Sequence, residues 1–293
     1  MHIPVLQKEV VEYLDPNPDE NFVDCTIDGG GHAAAILEKN GRGKVLGIDW
    51  DKEQIEECKL ALKRSENRLV LVNDSYVNLE DIVEKYKFSP IRGILFDLGM
   101  SSRQLEESGR GFSFSSDEPL DMRYNPGNNL LTASEIVNKW PKEEVEKILA
   151  EYGEEKYASR IAEKIDKERS IEKIERTVQL VKIIEMAVPG KYKRGKIHFA
   201  TRTFQGLRIA VNDELNNLKN ALPQAIEVLS RGGRVAVISF HSLEDRIVKN
   251  FFKELTVKKE AEILTKKPVT AGPDEIKANR RSRSAKLRVA LKL

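Results

Sequence analysis

The sequence predicts an α/β protein with a parallel sheet and an all-helical domain inserted into it. Two observations support this prediction. Strand-like and helix-like segments alternate through the first hundred residues, as they do in βαβ units. The next clear buried strand comes only at residues 234–240, although a βαβ unit takes roughly 30 residues. A chain of 293 residues has room for two such domains.

Four short apolar runs in the first hundred residues are the candidate strands. They are nearly continuous in apolar residues, which is typical of strands buried on both faces of a sheet. These runs cover residues 21–27, 44–50, 68–73 and 91–98. Helix-like stretches at 32–40 and 51–64 separate the first three. The end of the chain, residues 286–293, alternates apolar and polar side chains and is predicted to form an edge strand.

The long interval before the fifth strand is interpreted as an inserted domain. It is helical in character at 141–169 and 177–186, and residues 141–176 interleave acidic with basic side chains. The predicted boundaries give a discontinuous α/β domain over 1–114 and 216–293, and an inserted helical domain over 115–215.

Composition excludes several classes of protein. Hydrophobic residues make up 40% of the chain, enough for a buried core. No apolar run approaches the roughly 18–20 residues of a membrane helix, and the N-terminus lacks a secretory signal pattern, so we expect a cytoplasmic protein without membrane contact. Cys25 and Cys58 stand alone and the four histidines form no ligand pair, so neither a disulfide framework nor a metal site is predicted.

The net charge of +2 conceals two basic stretches. Residues 191–208 contain six basic side chains and no acidic one, and residues 277–292 contain seven basic side chains. Such runs indicate either a solvated surface or contact with the phosphates of a nucleic acid.

Three aspartates stand at the ends of predicted strands. Asp24, Asp49 and Asp97 end the first, second and fourth strands, and ligands of open α/β sheets bind at that edge. An acid after the second strand is typical of a ribose contact, although Asp49 or Asp51 can alternatively cap the following helix. The pattern fits S-adenosylmethionine, which carries a ribose, an adenine and a sulfonium but no phosphate.

A glycine triplet, residues 29–31, joins the first predicted strand to the first helix. Glycines at such a turn let the backbone approach a ligand closely, although a tight turn without a ligand is the alternative. The run departs from GxGxxG because His32 and Ala33 follow the triplet, which disfavours NAD and FAD.

Seven ordered segments resemble the bacterial 16S ribosomal RNA (cytosine-N4) methyltransferase family of the MraW type. They are HIPVLQKEV (2–10), DGGGH (28–32), DLGMSSRQL (97–105), RGFSF (110–114), PLDMR (119–123), ATRTFQGLRIAVNDEL (200–215) and SFHSLEDRIVK (239–249). The resemblance implies a class I S-adenosylmethionine-dependent methyltransferase (Rossmann-like) domain with an inserted all-helical domain. It also implies S-adenosyl-L-methionine as cofactor and N4 of a decoding-region cytosine as target.

The resemblance also implies the cofactor site. Its residues are Gly30, Gly31, His32, Asp49, Tyr76, Asp97 and Gln104. In this interpretation the backbone of His32 begins the helix, Asp49 contacts the ribose and Tyr76 faces the adenine. One residue departs from the family pattern, because Asp28 stands where an uncharged or basic residue is common.

Catalysis is assigned to residues after two strands. We predict that Asp97, or the backbone beside it, accepts a hydrogen of the target amine, since the Pro-Pro motif of many amino-methyltransferases is absent from this turn. Ser239, His241 and Ser242 are predicted to orient the base. For His241, a proton relay and a structural hydrogen bond are both consistent with the sequence.

Substrate contacts are predicted just before the insert and within it. Phe112 either stacks on RNA or belongs to the core, Arg123 pairs with Asp121, and Arg202 lies in the basic stretch that would contact phosphate. The expected partner is 16S ribosomal RNA within the small ribosomal subunit, and a homodimer is left open. The alternatives are an S-adenosylmethionine-dependent amino-methyltransferase of DNA or protein, a non-catalytic RNA-binding assembly protein and, more distantly, a nicotinamide oxidoreductase.

Overall fold

The computed structural model describes residues 4–293, so His2 and Ile3 of the first family segment lie outside the described residues. The chain divides into two compact units. One runs up to Gly99 and resumes over Leu215–Leu293, and the other is Met100–Glu214.

The first unit begins with alternating helices and strands. In chain order these are α1 (Gln7–Leu14), β1 (Phe22–Asp24), α2 (Gly31–Lys39), β2 (Val45–Asp49), α3 (Lys52–Ala61), β3 (Leu69–Asn73), α4 (Leu79–Lys85) and β4 (Ile91–Asp97). The four predicted strands are therefore all present, with ends within a few residues of those predicted.

The second unit is built from helices. They are α5 (Ser102–Glu106), α6 (Ala133–Lys139), α7 (Lys142–Glu151), α8 (Ala158–Arg169), α9 (Thr177–Ala187), α10 (Gly190–Lys193) and α11 (Thr201–Asn212). The unit starts at Met100, earlier than the predicted 115, because Leu105 and Phe112 already pack in its core. Its end at Glu214 lies next to the predicted boundary.

The chain then completes the first unit. The remaining elements are α12 (Glu214–Val228), β5 (Leu229–Ser239), α13 (Ser242–Val257), β6 (Ala261–Ile263), α14 (Pro273–Ala278) and β7 (Lys286–Lys292). None of the helices within residues 4–293 is long and apolar enough to cross a membrane.

The sheet has seven strands in the order β3-β2-β1-β4-β5-β7-β6. Strands β1 to β5 are parallel, whereas β7 runs antiparallel to both of its neighbours. The strand predicted at 286–293 is present as β7, but the prediction that it forms an edge is wrong, because β7 is paired on both sides and β6 forms the edge. With three residues, β6 is too short to show a periodic pattern.

Both faces of the sheet are covered, which explains the continuous apolar runs. Successive residues of a strand enter different clusters: Ile94 and Phe96 pack on one face, and Leu95 packs on the other. Gly93 is required within β4, since a Cβ there would lie 2.4 Å from Cδ1 of Phe22.

Strand β5 begins five residues before the predicted 234. Its pairing with β4 shifts register between Ile91 and Gly93, next to Gly232 in a left-handed conformation (φ 71°). The Arg92 guanidinium donates to the carbonyl of Arg231 at 2.7 Å across this irregularity. A bulge thus allows the strand to continue through a glycine pair that the sequence suggests as a boundary.

Candidate active site

Three aspartates meet at one edge of the sheet, as predicted. Asp24, Asp49 and Asp97 are the last residues of β1, β2 and β4, and these strands are neighbours in the order β2-β1-β4. All three are at least nine-tenths buried. Parallel strands place their carboxyl ends together, so the topology concentrates negative charge where such sheets bind ligands.

Backbone N–H groups hold the carboxylate of Asp49. One oxygen accepts from the N–H of Asp51 at 2.8 Å and the other from the N–H of Asp28 at 3.1 Å. Asp51 itself caps α3 by accepting from the N–H of Glu53. The two adjacent acids therefore have separate roles, and the orientation of the Asp49 carboxylate is set before any ligand binds.

The glycine turn packs closely beneath the site. Asp28 and Gly30 both have positive φ, 45° and 82°. A Cβ on Gly30 would lie 2.8 Å from the sulfur of Cys58 and 2.9 Å from a methyl of Leu62. The turn thus requires glycine at position 30 both for its conformation and for its space.

The side chain of His32 faces Asp97. Its Nε2 lies 3.3 Å from Oδ2 of Asp97, and the Asp97 N–H donates to Oγ1 of Thr26 at 2.7 Å. Both ring nitrogens of His32 and Oδ1 of Asp97 are buried without a hydrogen-bond partner of good geometry within residues 4–293. Buried polar atoms of this kind indicate a place for a ligand.

This contact was missed from the sequence, which assigned His32 only through its backbone. The usable signal was its place in the first turn of α2, directly after the glycines, since that turn lies above the carboxyl end of β1. The partner, Asp97, is 65 positions away, and only the sheet order brings them together.

Burial dominates the electrostatics of the site. It raises the pKa of Asp24 to about 6 and that of Asp49 to about 7, and it raises the pKa of Asp28 well above its usual range, with the neighbouring aspartates adding to the effect on Asp28. Burial alone would lower the pKa of His32, but the carboxylate of Asp97, with Asp24 and Glu275, outweighs it and raises that pKa. The site therefore favours a cation.

These shifts predict how the ligand-free protein responds to pH. A carboxyl whose pKa is raised on folding loses stability as pH climbs from its unfolded value to its folded value, and a histidine with a raised pKa loses stability above its unfolded value. Both effects lower the free energy of unfolding between about pH 4 and pH 8. We expect Asp49→Asn to flatten this decline in urea titrations, by an amount on the order of 4 kcal/mol across the range.

Asp19→Asn is the matched control for that titration. Asp19 precedes β1, is exposed and pairs with Arg42, whose hydrogen bond lowers the pKa of Asp19. This substitution should leave the slope between pH 5 and pH 8 unchanged. A wild-type stability that rises with pH over this range would contradict the assignment.

Two other predicted cofactor residues lie in different units. Tyr76 begins a 3₁₀ turn after β3 and meets Phe96 edge-to-face at 5.6 Å. Gln104 belongs to the second unit, where its side-chain oxygen accepts from the N–H of Ser101 while Ser101 caps α5. The cofactor roles of both residues stay predictions.

The residues after β5 form a helix start. Ser239 is buried at the end of β5, and Ser242 is the first residue of α13. His241 caps α13 in a reciprocal box with Glu244, whose carboxylate accepts from the N–H groups of Phe240 and His241. This is the structural alternative for His241; its relay role, and the base-orienting roles of Ser239 and Ser242, stay predictions.

The predicted substrate residues have different environments. Phe112 is 4% exposed and stacks on Tyr124 within the core, so it is not placed to stack on RNA. Arg123 forms the predicted pair with Asp121, at 2.6 and 2.8 Å. Arg202 is half-buried and donates to the carbonyl of Glu154 at 2.5 Å.

Part of the C-terminal basic stretch is structural, which corrects its assignment to phosphate. Lys286 and Arg288 both pair with Asp245, and Lys292 donates to the carbonyls that end α12 and begin β5. Because β7 is interior, its cations are used to satisfy neighbouring elements. Lys277, Arg280 and Arg283 remain exposed.

Comparison with known proteins identifies a family that this chain matches. The model of the family described as MraW methylase matches residues 1–293. Proteins called "Ribosomal RNA small subunit methyltransferase H" from Heliobacterium mobile and Heliobacterium modesticaldum are 45% and 46% identical, over 100% of this chain and 99% and 98% of theirs. A solved putative methyltransferase from Streptococcus mutans, in complex with SAH, is 13% identical over 100% of both chains, with a TM-score of 0.49.

Proposed function

Since the chain belongs to the MraW methylase family, we propose that it is an S-adenosylmethionine-dependent methyltransferase of small-subunit ribosomal RNA. The observation that supports this most strongly is the match of the whole chain to the family, with relatives of about 45% identity named for that activity. We further propose N4 of a decoding-region cytosine of 16S RNA as the target, because the seven sequence segments resemble enzymes of that specificity.

The acidic sheet edge fits S-adenosylmethionine. Asp49, held by two backbone donors, suits a ribose diol, and the turn at Gly30 and Gly31 brings backbone close to the same edge. The unpartnered atoms of His32 and Asp97 lie in this buried, acidic region. When bound, the cofactor supplies an electrophilic methyl group on a sulfonium cation, which such a region stabilises.

Asp97 is the group best suited to the amine. An exocyclic amine that gains a methyl group must lose a proton, so the site needs an acceptor for an amine hydrogen. Asp97 lies at the end of β4 with Oδ1 unpartnered, while its backbone N–H is held by Thr26. The carboxylate can therefore accept a hydrogen bond from the base without giving up another partner among the described residues.

His32 acts on Asp97 rather than on the base in this proposal. The imidazole lies 3.3 Å from the carboxylate and is itself buried, so it limits the orientations that Asp97 can adopt. We therefore assign His32 as a positioning residue, and Ser239, His241 and Ser242 as residues that shape the base site.

The test is methyl transfer from labelled S-adenosylmethionine. Substrates are small ribosomal subunits lacking the modification, naked 16S RNA and duplex DNA, and the modified nucleoside is identified by mass spectrometry. We expect N4-methylcytidine in a single RNA fragment, with a preference for the subunit over naked RNA. Subunits already carrying the modification are the matched control and should accept no label.

Other products would overturn the proposal in distinct ways. Label in duplex DNA or in a ribosomal protein would show that the enzyme methylates an amine of another macromolecule. Label at another RNA position or atom would keep the RNA methyltransferase and reject the N4 assignment. Tight cofactor binding without transfer to any substrate would favour a non-catalytic role in assembly.

A further inference from the structure

Five exposed basic side chains lie on two adjoining segments of the second unit. Lys156 and Arg160 stand at the start of α8, and Lys191, Arg194 and Lys196 lie within and just after α10. Among residues 4–293, none of the five lies within 4.0 Å of a carboxylate oxygen, the distance that defines an ion pair. We call these five residues the α8/α10 basic surface.

Aromatic rings join the two segments. Tyr157, which caps α8, meets Tyr192 of α10 at 4.9 Å between ring centroids. The Lys156 ammonium lies 4.9 Å from the centroid of each ring, and the Arg160 guanidinium lies 5.8 Å from that of Tyr157. The contact therefore places the start of α8, with its two cations, beside α10.

A buried carboxylate holds the two tyrosines in place through hydrogen bonds. Glu155 is 3% exposed; one of its oxygens accepts from the Tyr192 hydroxyl at 2.7 Å and the other from the N–H of Tyr157 at 2.9 Å. Burial and this hydrogen bond raise the pKa of Tyr192, so the phenol remains a donor at neutral pH. The carboxylate of Glu155 is thus turned inward and makes no ion pair with the five cations.

Most other basic side chains of the same unit are neutralised. Pairs with carboxylates are made by Arg103, Arg123, Lys139, Lys142, Lys164, Arg169, Lys173, Arg176, Lys193 and Arg208. In the basic stretch 191–208, Lys193 pairs with Glu185 and Arg208 with Glu214, so the sequence overstates the available charge. Of the exposed cations of this unit without such a pair, five form the α8/α10 basic surface, and Lys147, Lys167 and Lys182 lie elsewhere on α7, α8 and α9.

We propose that the α8/α10 basic surface binds the phosphate backbone of the RNA substrate and holds it during methyl transfer. The proposal rests on the proposed function, which supplies RNA as the occupant. Charge complementarity selects the phosphates rather than the bases, because Lys156 already covers both tyrosine rings. A surface of this kind adds affinity without sequence preference, and it does so by releasing counterions.

The test is the salt dependence of RNA binding by the full chain with SAH present. The variant Lys191→Gln/Arg194→Gln/Lys196→Gln removes three of the five charges. We expect its affinity for naked 16S RNA at about 0.1 M salt to fall about 10- to 100-fold, and the slope of log K against log salt to become shallower by about 2. Binding of SAH and thermal unfolding should match those of the wild type, since the three side chains are exposed.

The matched control is Lys147→Gln/Lys167→Gln/Lys182→Gln. It removes the same charge from exposed positions of α7, α8 and α9 that lie outside the α8/α10 basic surface, and none of the three forms an ion pair among residues 4–293. We expect it to lower RNA affinity by less than about threefold and to leave the salt slope within about 0.5 of the wild type. Equal losses in both triple variants would show an effect of net charge alone and would overturn the proposal.

Failure of the surface and failure of the function give different results. Wild-type methyl transfer together with an unchanged slope in the Lys191/Arg194/Lys196 variant would reject the surface and keep the function. Steep, salt-dependent RNA binding that this variant loses, without methyl transfer by the wild type, would keep the surface and reject the function. Full binding by the variant to both naked RNA and the small subunit would also reject the surface.

Discussion

Replacing Asp97 by asparagine is expected to slow methyl transfer by about 10²- to 10³-fold while the protein stays folded. The substitution keeps the shape of the side chain and the backbone hydrogen bond to Thr26, but it removes the charge that faces His32. Single-turnover rates with saturating S-adenosylmethionine and unmodified small subunits measure the effect, because they separate the chemical step from binding.

The control for Asp97 is again Asp19→Asn. This substitution removes an exposed acid that precedes β1, at the opposite end of that strand from the buried aspartates. It should keep the wild-type rate. A normal rate of methyl transfer by Asp97→Asn would show that the Asp97 carboxylate has no role in the reaction. A variant that loses cofactor binding and rate together would make Asp97 a cofactor ligand only.

His32 distinguishes a positioning role from a purely structural one. We expect His32→Asn to lower the rate by about 10-fold or more and to remove the limb of the pH–rate profile that reports the imidazole. Because Asp97 favours protonation of His32, that limb should lie above the ordinary histidine pKa of 6.5 in the wild type. A lower rate with an unchanged profile would indicate packing alone.

Replacing Asp49 by alanine is expected to weaken cofactor binding by about 10- to 100-fold, which corresponds to the loss of one or two hydrogen bonds to a charged acceptor. The effect should be specific to the ribose. Isothermal titration with SAH and with its 2′-deoxy and 3′-deoxy analogues measures this directly. The wild type should prefer SAH to the deoxy analogues, and Asp49→Ala should bind all three alike.

Asp49→Asn provides a second comparison at the same position. Both carboxylate oxygens of Asp49 accept from backbone N–H groups, so an amide would place an NH₂ against one of these donors. We therefore expect asparagine to bind SAH no better than alanine does. If Asp49→Ala keeps the wild-type preference for SAH over the deoxy analogues, the ribose contact must be made by another residue.

Much of the first unit could be predicted from the sequence because its strands and strand ends are marked by local patterns. The strand runs ending at Asp24, Asp49 and Asp97 are continuous in apolar residues, and the rule that parallel strands share a carboxyl edge places the three acids together. The long interval before β5 likewise indicated an insert. The C-terminal strand was misplaced because alternation does not distinguish an edge strand from one covered by a three-residue neighbour, β6.

Side-chain roles were less predictable wherever they depended on a distant partner. The sequence is consistent with Phe112 either stacking on RNA or packing in the core, and its packing against Tyr124 shows that it is a core residue. The cations of β7 were indistinguishable from surface charges until the strand was found between β5 and β6. Paired and unpaired cations are also interspersed within 191–208, since each pair depends on where another helix lies.

Local patterning and ordered motifs are enough to establish the α/β class, the inserted helical segment, the acids at the strand ends and the family. The folded protein was needed to show that His32 faces Asp97, that His241 caps a helix, and which cations stay unpaired among the described residues. These features arise from contacts between residues far apart in the chain, and their energies depend on burial and geometry that a linear pattern does not contain.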